Sequence, residues 1–135
     1  TAQEIASIAH IPGKELAKTV MVNLDGALAM AVVPASMQVG ITALKSAVGA
    51  HTAQLATEHE FRSHFPDCET GAMPPFGNLY GMSVYVDQSL AADTEIAFNA
   101  GTHRELIRLA YADFAKLVDP AVLAFAVPAG FAAVA

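Results

Sequence analysis

"KTVMVNLDGALAMAVV", residues 18–33, holds two apolar runs, Lys18 to Asn23 and Ala27 to Val33, on either side of Leu24-Asp25-Gly26. Asp-Gly between such runs is among the strongest short-range hairpin signals, because both residues tolerate the positive φ that a tight turn demands. The stretch is therefore read as two antiparallel strands, and the rest of the chain must supply what covers them.

Upstream, Thr1-Ala2-Gln3-Glu4 has the form of a capping box, and Ile5, Ile8 and Ala9 follow at helical spacing. This predicts a short helix that Pro12-Gly13 ends. Downstream, Val39 to Val48 reads as a helix, and Thr57 with Glu60 forms a second capping box that opens a helix through Phe65. Gly81 to Asp87 alternates Met82, Val84 and Val86 against Ser83, Tyr85 and Asp87, the period of a strand. Glu95 to Ala100 is a further strand, Leu106 to Leu109 extends a sheet, and Tyr111 to Val118 has the apolar spacing of a closing helix. Strands and helices interspersed in this way predict an α+β, or mixed α/β, chain with a mixed sheet flanked by helices.

The chain has 135 residues, the size of one compact domain, with no room for a separate cofactor domain. Hydrophobic residues make up 54%, yet no run approaches the ~20 apolar residues that span a bilayer. A soluble protein with a well-filled core is expected. The richest apolar stretch, Ala121 to Ala135, is interrupted by Pro128 and Gly130 and reads as a packed or loose tail. The one cysteine, Cys68, has no internal disulfide partner, and no basic N-terminal segment precedes an apolar one, which together predict a reducing cytoplasm. A formal charge of −6 argues against a broad nucleic-acid-binding face, DNA included, and leaves room only for a local RNA contact.

Most chemistries lack their residues. The five histidines, His10, His51, His59, His64 and His103, contain no His-x-x-x-His pair, and Cys68 has no second cysteine, so no metal site and no cofactor is expected. There is no Gly-x-Ser-x-Gly elbow and no phosphate cradle of the Gly-x-x-x-x-Gly-Lys or Gly-x-Gly-x-x-Gly type. Cys68 with His64 or His103 as base makes a candidate thiol enzyme, although a lone cysteine is more often an inert small residue.

Three features remain. "TGAMPPFGN", residues 70–78, places two adjacent prolines between glycines and so forms a stiffened loop that neither helix nor central strand can absorb. Lys18 stands at the entrance of a strand, where taken alone it reads as a solvated strand end. "FNAGTHRE", residues 98–105, reads alone as a turn after a strand, with His103 and Arg104 solvated beside it.

In order and spacing, "GKELAKTVMVNLDG", "ETGAMPPFG", "VYVDQSL" and "FNAGTHRELIRLAYADFAKLV" resemble the YbaK/aminoacyl-tRNA synthetase-associated domain, the fold of the bacterial prolyl-tRNA synthetase editing insertion and its free-standing relatives. The resemblance covers residues 1–119 and leaves 120–135 as the apolar C-terminal tail. It implies a curved mixed sheet and an aminoacyl-tRNA deacylase that acts in trans, hydrolysing the ester of a small mischarged amino acid on the tRNA for proline or a related tRNA. It implies no metal, a substrate-assisted step through the vicinal ribose hydroxyl, and an aminoacyl-tRNA synthetase as a partner that supplies tRNA selectivity.

By the same resemblance Lys18 orients the nucleotide end, and Gly71, Ala72, Met73 and Pro74 present backbone groups to the aminoacyl ester. Gly101 is the second pocket glycine. Thr19, Met21, Pro75, Phe76, Asn99 and His103 are the expected substrate contacts, although methionines at such spacing also read as core. Asn99 and His103 depart from the more common Ser-Ala-Gly-Arg-Arg form, which leaves their part in the site open. Lys14, Lys18, Arg104 and Lys45 make a small positive mouth on an acidic body. The rival reading is a non-catalytic module that keeps the fold and binds an aminoacyl or nucleotide ligand.

Overall fold

The computed structural model describes residues 16–130, so the expected first helix, its Pro12-Gly13 stop, His10 and Lys14 lie outside the described residues. The hairpin forms as expected. β1 (Ala17–Leu24) and β2 (Ala27–Pro34) pair antiparallel from Leu24↔Ala27 to Ala17↔Pro34. Asp25 and Gly26 take φ of +52° and +87°, the two positive values that a two-residue hairpin turn requires. The Asp25 carboxylate also accepts from the His51 and Thr52 N–H groups, both at 2.8 Å, which stitches the hairpin tip to the chain entering β4 (Ala53–Leu55).

β4 runs antiparallel along the outer edge of β1, while β5 (Ser83–Asp87) joins β2 in parallel and β8 (Ala121–Leu123) joins β5 in parallel. The order β4-β1-β2-β5-β8 is a mixed, curved sheet. Two ribbons attach to it: β6 (Glu95–Asn99) with β7 (Leu106–Ala110), and β3 (Met37–Val39) with β9 (Ala126–Pro128). A parallel bridge between Leu16 and Ala97 fixes β6 beside the start of β1.

Side chains alternate across a strand, and here the alternation separates two cores. Ala17, Met21, Met30, Val32, Val84 and Val86 face Phe61, Phe65, Phe98 and Phe114. Val22, Leu24, Ala29, Ala31 and Val33 face Val39, Leu44 and Phe125 on the other side. With both faces covered, β2 is buried continuously from Ala29 to Pro34, which is why its sequence is an unbroken apolar run rather than an alternating one. Phe114 has no exposed surface, and truncating such a side chain to alanine costs about 3–5 kcal/mol.

α1 (Ile41–Val48) begins two residues after its expected start because Val39 is paired in β3. Gly49, at φ +72°, ends it. α2 (Glu58–Phe61) carries the expected capping box: the Glu60 N–H donates to Thr57 Oγ1 at 3.2 Å and the Thr57 N–H to Glu60 Oε1 at 3.0 Å. It passes into a 3₁₀ turn over Arg62–His64. α3 (Gln88–Ala91) was not legible in the sequence; α4 (Tyr111–Val118) has its expected bounds. The segment after Asp119 packs as far as it is described. It supplies β8 and β9, and between them Phe125 is 2% exposed, with its N–H and that of Ala126 donating to Asp87 Oδ1 at 2.9 and 2.8 Å.

Candidate active site

β4 accompanies β1 only along Val22 to Leu24, and the last contact of that edge is the Ala56 N–H donating to the Met21 carbonyl at 3.0 Å. From there toward Ala17 the β1 edge faces the proline loop across a cavity of about 240 Å³. Its walls are Thr19, Val20 and Met21 from β1, Leu55 and Ala56 from the end of β4, Phe61 from α2, and Thr70, Gly71 and Met73 from the loop. The lining is apolar apart from two threonines and carries no charged group.

The loop is stiff because it is pinned as well as proline-rich. Gly71 adopts φ +86°, a region that side chains other than glycine rarely enter. Around it, the Ala72 N–H donates to the Glu69 carbonyl at 3.0 Å and the Gly101 N–H to the Ala72 carbonyl at 3.0 Å. The Glu69 N–H donates to the Gly101 carbonyl at 2.7 Å. Ala72 and Met73 are 1% and 4% exposed. Pro75 is buried too, and with no N–H it leaves no donor to satisfy there. Within this pinned segment the backbone N–H and carbonyl of Gly71 and of Met73 have no partner among the described residues.

The structure brings Thr19, Met21, Gly71 and Met73 together at the cavity. Ala72 and Gly101 stand directly behind it as the bonded support. Pro74 follows Met73 and accepts the Phe76 N–H on its carbonyl at 2.8 Å. Phe76 turns into the aromatic core, its ring 5.4 Å from that of Phe98 and 6.1 Å from that of Phe114. Asn99 ends β6 in a buried position and donates from Nδ2 to the Thr102 carbonyl at 3.3 Å, which shapes the turn. His103 also serves the loop, with its Nε2 2.9 Å from the Thr70 carbonyl. A carbonyl only accepts, so Nε2 carries the proton.

Lys18 lies on β1 with the parity of Val20, opposite to Thr19 and Met21. Val20 nevertheless lines the cavity, since β1 is open-edged there and both faces reach its rim. Lys18 is half-buried with no acidic partner among the described residues, and burial lowers its pKa. Lys45 is on α1, whose Leu44 belongs to the core on the other face of the sheet.

Cys68 sits behind Gly101. Burial pushes its thiol pKa up and the neighbouring Asp67 charge pushes it further, the reverse of an activated nucleophile. Among the described residues no cluster of three or more His, Cys, Asp or Glu side chains is arranged to hold a metal ion. No helix among them is long and apolar enough to cross a membrane. The parts that Phe61, Glu69 and Thr70 play at this site leave no trace in sequence spacing, because each depends on contacts between segments far apart in the chain.

The family model of the aminoacyl-tRNA editing domain matches residues 1–117. Among solved structures the fold is similar to that of the hypothetical protein APE2540, with a TM-score of 0.83, 20% identity, and coverage of 94% of this chain and 84% of that one. It is likewise similar to a protein described as a "putative trans-editing enzyme for prolyl tRNA synthetase", with a TM-score of 0.82, 22% identity, and coverage of 93% and 78%. No curated protein sequence matches the chain.

Proposed function

The chain belongs to the aminoacyl-tRNA editing domain family, and from that premise we propose that it is a free-standing deacylase that removes a small, uncharged amino acid from a misacylated tRNA, the tRNA for proline or a related one. The observation that carries this reading is the cavity between the open edge of β1 and the Gly71–Met73 loop, apolar and about 240 Å³ in volume. An aminoacyl ester is already activated, so a site that positions it and stabilises a developing oxyanion suffices without a nucleophilic triad.

The reaction is ester hydrolysis. A water oxygen adds to the ester carbonyl carbon, the carbonyl oxygen becomes an oxyanion, and the bond to the ribose oxygen then breaks. The ribose oxygen takes a proton, releasing free amino acid and tRNA. In this reading the uncommitted N–H groups of Gly71 and Met73 receive the oxyanion, and the vicinal ribose hydroxyl of the substrate orients the water. The Lys18 ammonium holds a phosphate or the terminal ribose as a compact point charge. Met21, Phe61 and Met73 wall the side-chain pocket, where one methylene more or less is worth ~1–3 kcal/mol of discrimination.

Such an enzyme grips the acceptor end rather than the whole tRNA, which is compatible with a net charge of −6. Selectivity among tRNAs is then left to a partner such as a synthetase, in the cytoplasm. The reading is tested by offering one misacylated tRNA in two linkages, the natural ester and a non-hydrolysable amide. Release of amino acid from the ester together with retention of the amide supports the deacylase; equal retention of both marks a binding module.

A further inference from the structure

The loop that walls the cavity is held by a residue that does not line it. We infer that Glu69 is a positioning residue, which sets the orientation of the Gly71 and Met73 backbone by clamping the proline loop to the β6–β7 turn. The inference rests on the deacylase reading above.

Glu69 makes three bonds. Its N–H donates to the Gly101 carbonyl at 2.7 Å, its carbonyl accepts the Ala72 N–H at 3.0 Å, and its carboxylate Oε1 accepts the His103 N–H at 2.7 Å. Two further bonds share the load on Thr70. Its carbonyl accepts from His103 Nε2 at 2.9 Å, and its Oγ1 donates to Glu58 Oε1 on α2 at 3.1 Å. Glu69, Thr70 and Ala72 are thus each tied outward, while Gly71 alone in that run has no partner among the described residues.

A glycine at φ +86° between pinned neighbours cannot rotate its peptide units independently, so their direction is fixed by the clamp. Of the clamp's members only the Glu69 side chain reaches from loop to turn by accepting from a backbone N–H, that of His103. Its 2.7 Å contact also fixes where His103 begins, and hence where the imidazole meets Thr70. Nothing in this arrangement uses the negative charge itself. What it uses is an acceptor oxygen at one distance from the backbone.

The test compares Glu69→Gln, Glu69→Asp and Glu69→Ala in deacylation of the misacylated tRNA that the wild type hydrolyses. Glutamine keeps the acceptor in place without the charge; aspartate keeps the charge one methylene short of the His103 N–H. The expected result is near-wild-type kcat for Glu69→Gln. Glu69→Asp and Glu69→Ala should lose kcat by about ten- to a hundredfold, the scale on which small misplacements of a reacting geometry register, with KM changed less than threefold. Amide exchange at Gly101 and His103 should accelerate in Glu69→Asp and Glu69→Ala and not in Glu69→Gln. Retained kcat in Glu69→Ala, or Glu69→Asp active where Glu69→Gln is not, overturns the inference, the latter by assigning the charge a direct role. If the wild type hydrolyses no misacylated tRNA, the deacylase reading fails and the inference falls with it, an outcome distinct from an active wild type with an indifferent Glu69.

Discussion

The Gly101 N–H donates to the Ala72 carbonyl at 3.0 Å, so the turn after β6 and the proline loop move as one unit. Gly101 takes φ +96°, and a Cβ built there lies 3.6 Å from Cys68 Sγ, an ordinary contact distance. Strain in Gly101→Ala therefore comes from the backbone angle, at roughly 1–3 kcal/mol. We expect a fall in Tm of about 4–11 °C and a larger proportional loss of deacylation, neither relieved by adding Cys68→Ala. Calorimetry on the single and double variants checks this; rescue by the double variant would place the cost in crowding instead.

Lys18 should trade stability for function. Burial lowers its pKa from the ordinary 10.5, so the folded state penalises the charged form. A base with a depressed folded pKa carries that penalty in full below the folded value and sheds it as pH rises toward the unfolded one. Lys18→Met keeps the stem and removes the charge. It should abolish turnover while raising Tm by about 1–4 °C at neutral pH, in line with the usual gain when a functional liability is removed. It should also flatten the rise in stability on the alkaline side just below 10.5. A lower Tm in Lys18→Met would show that the ammonium is stabilised in the fold.

Asp87 tests the packing of the C-terminal segment away from the cavity. Burial raises its pKa, but bonds from the Ser89 hydroxyl and from the Phe125, Ala126 and Ser89 N–H groups together outweigh that and leave it below the ordinary 3.8. A carboxyl with a depressed folded pKa contributes stability in full above the unfolded value and loses it as pH falls through the folded one. Asp87→Asn should therefore cost about 1–3 kcal/mol at neutral pH, and the difference from wild type should shrink below pH 3.8. Denaturant melts across pH measure it, with turnover per folded molecule unchanged.

Elements set by local chemistry were legible in the sequence. Asp25-Gly26 dictates its turn, Thr57 with Glu60 its cap, and Tyr111 to Val118 its helix, each through contacts within a few residues. The three-residue strands β3, β4, β8 and β9 were not, since Val127 pairs with Gln38 and Leu55 with Val22 only once distant segments meet. At the site, Gly71 and Met73 announced themselves through the proline loop. The bond of His103 to Thr70, 33 residues away, has no trace in spacing. The packing of Phe76 against Phe98 and Phe114 has none either, because an apolar residue beside a loop does not say which way it turns.

The thiol-enzyme alternative makes an opposite prediction to the deacylase. With burial and the Asp67 charge holding the thiol protonated, Cys68→Ser should leave deacylation within about twofold, the small effect usual for a substitution that removes no reacting group. Loss of all turnover in a folded Cys68→Ser protein would assign the sulfur a covalent role.

The most direct measurement is release of labelled amino acid from a panel of misacylated tRNAs with small side chains, by wild type and Lys18→Ala, with and without a chelator. The account predicts hydrolysis of at least one member by wild type, unaffected by the chelator and lost in Lys18→Ala. A folded wild type that hydrolyses none of them contradicts it.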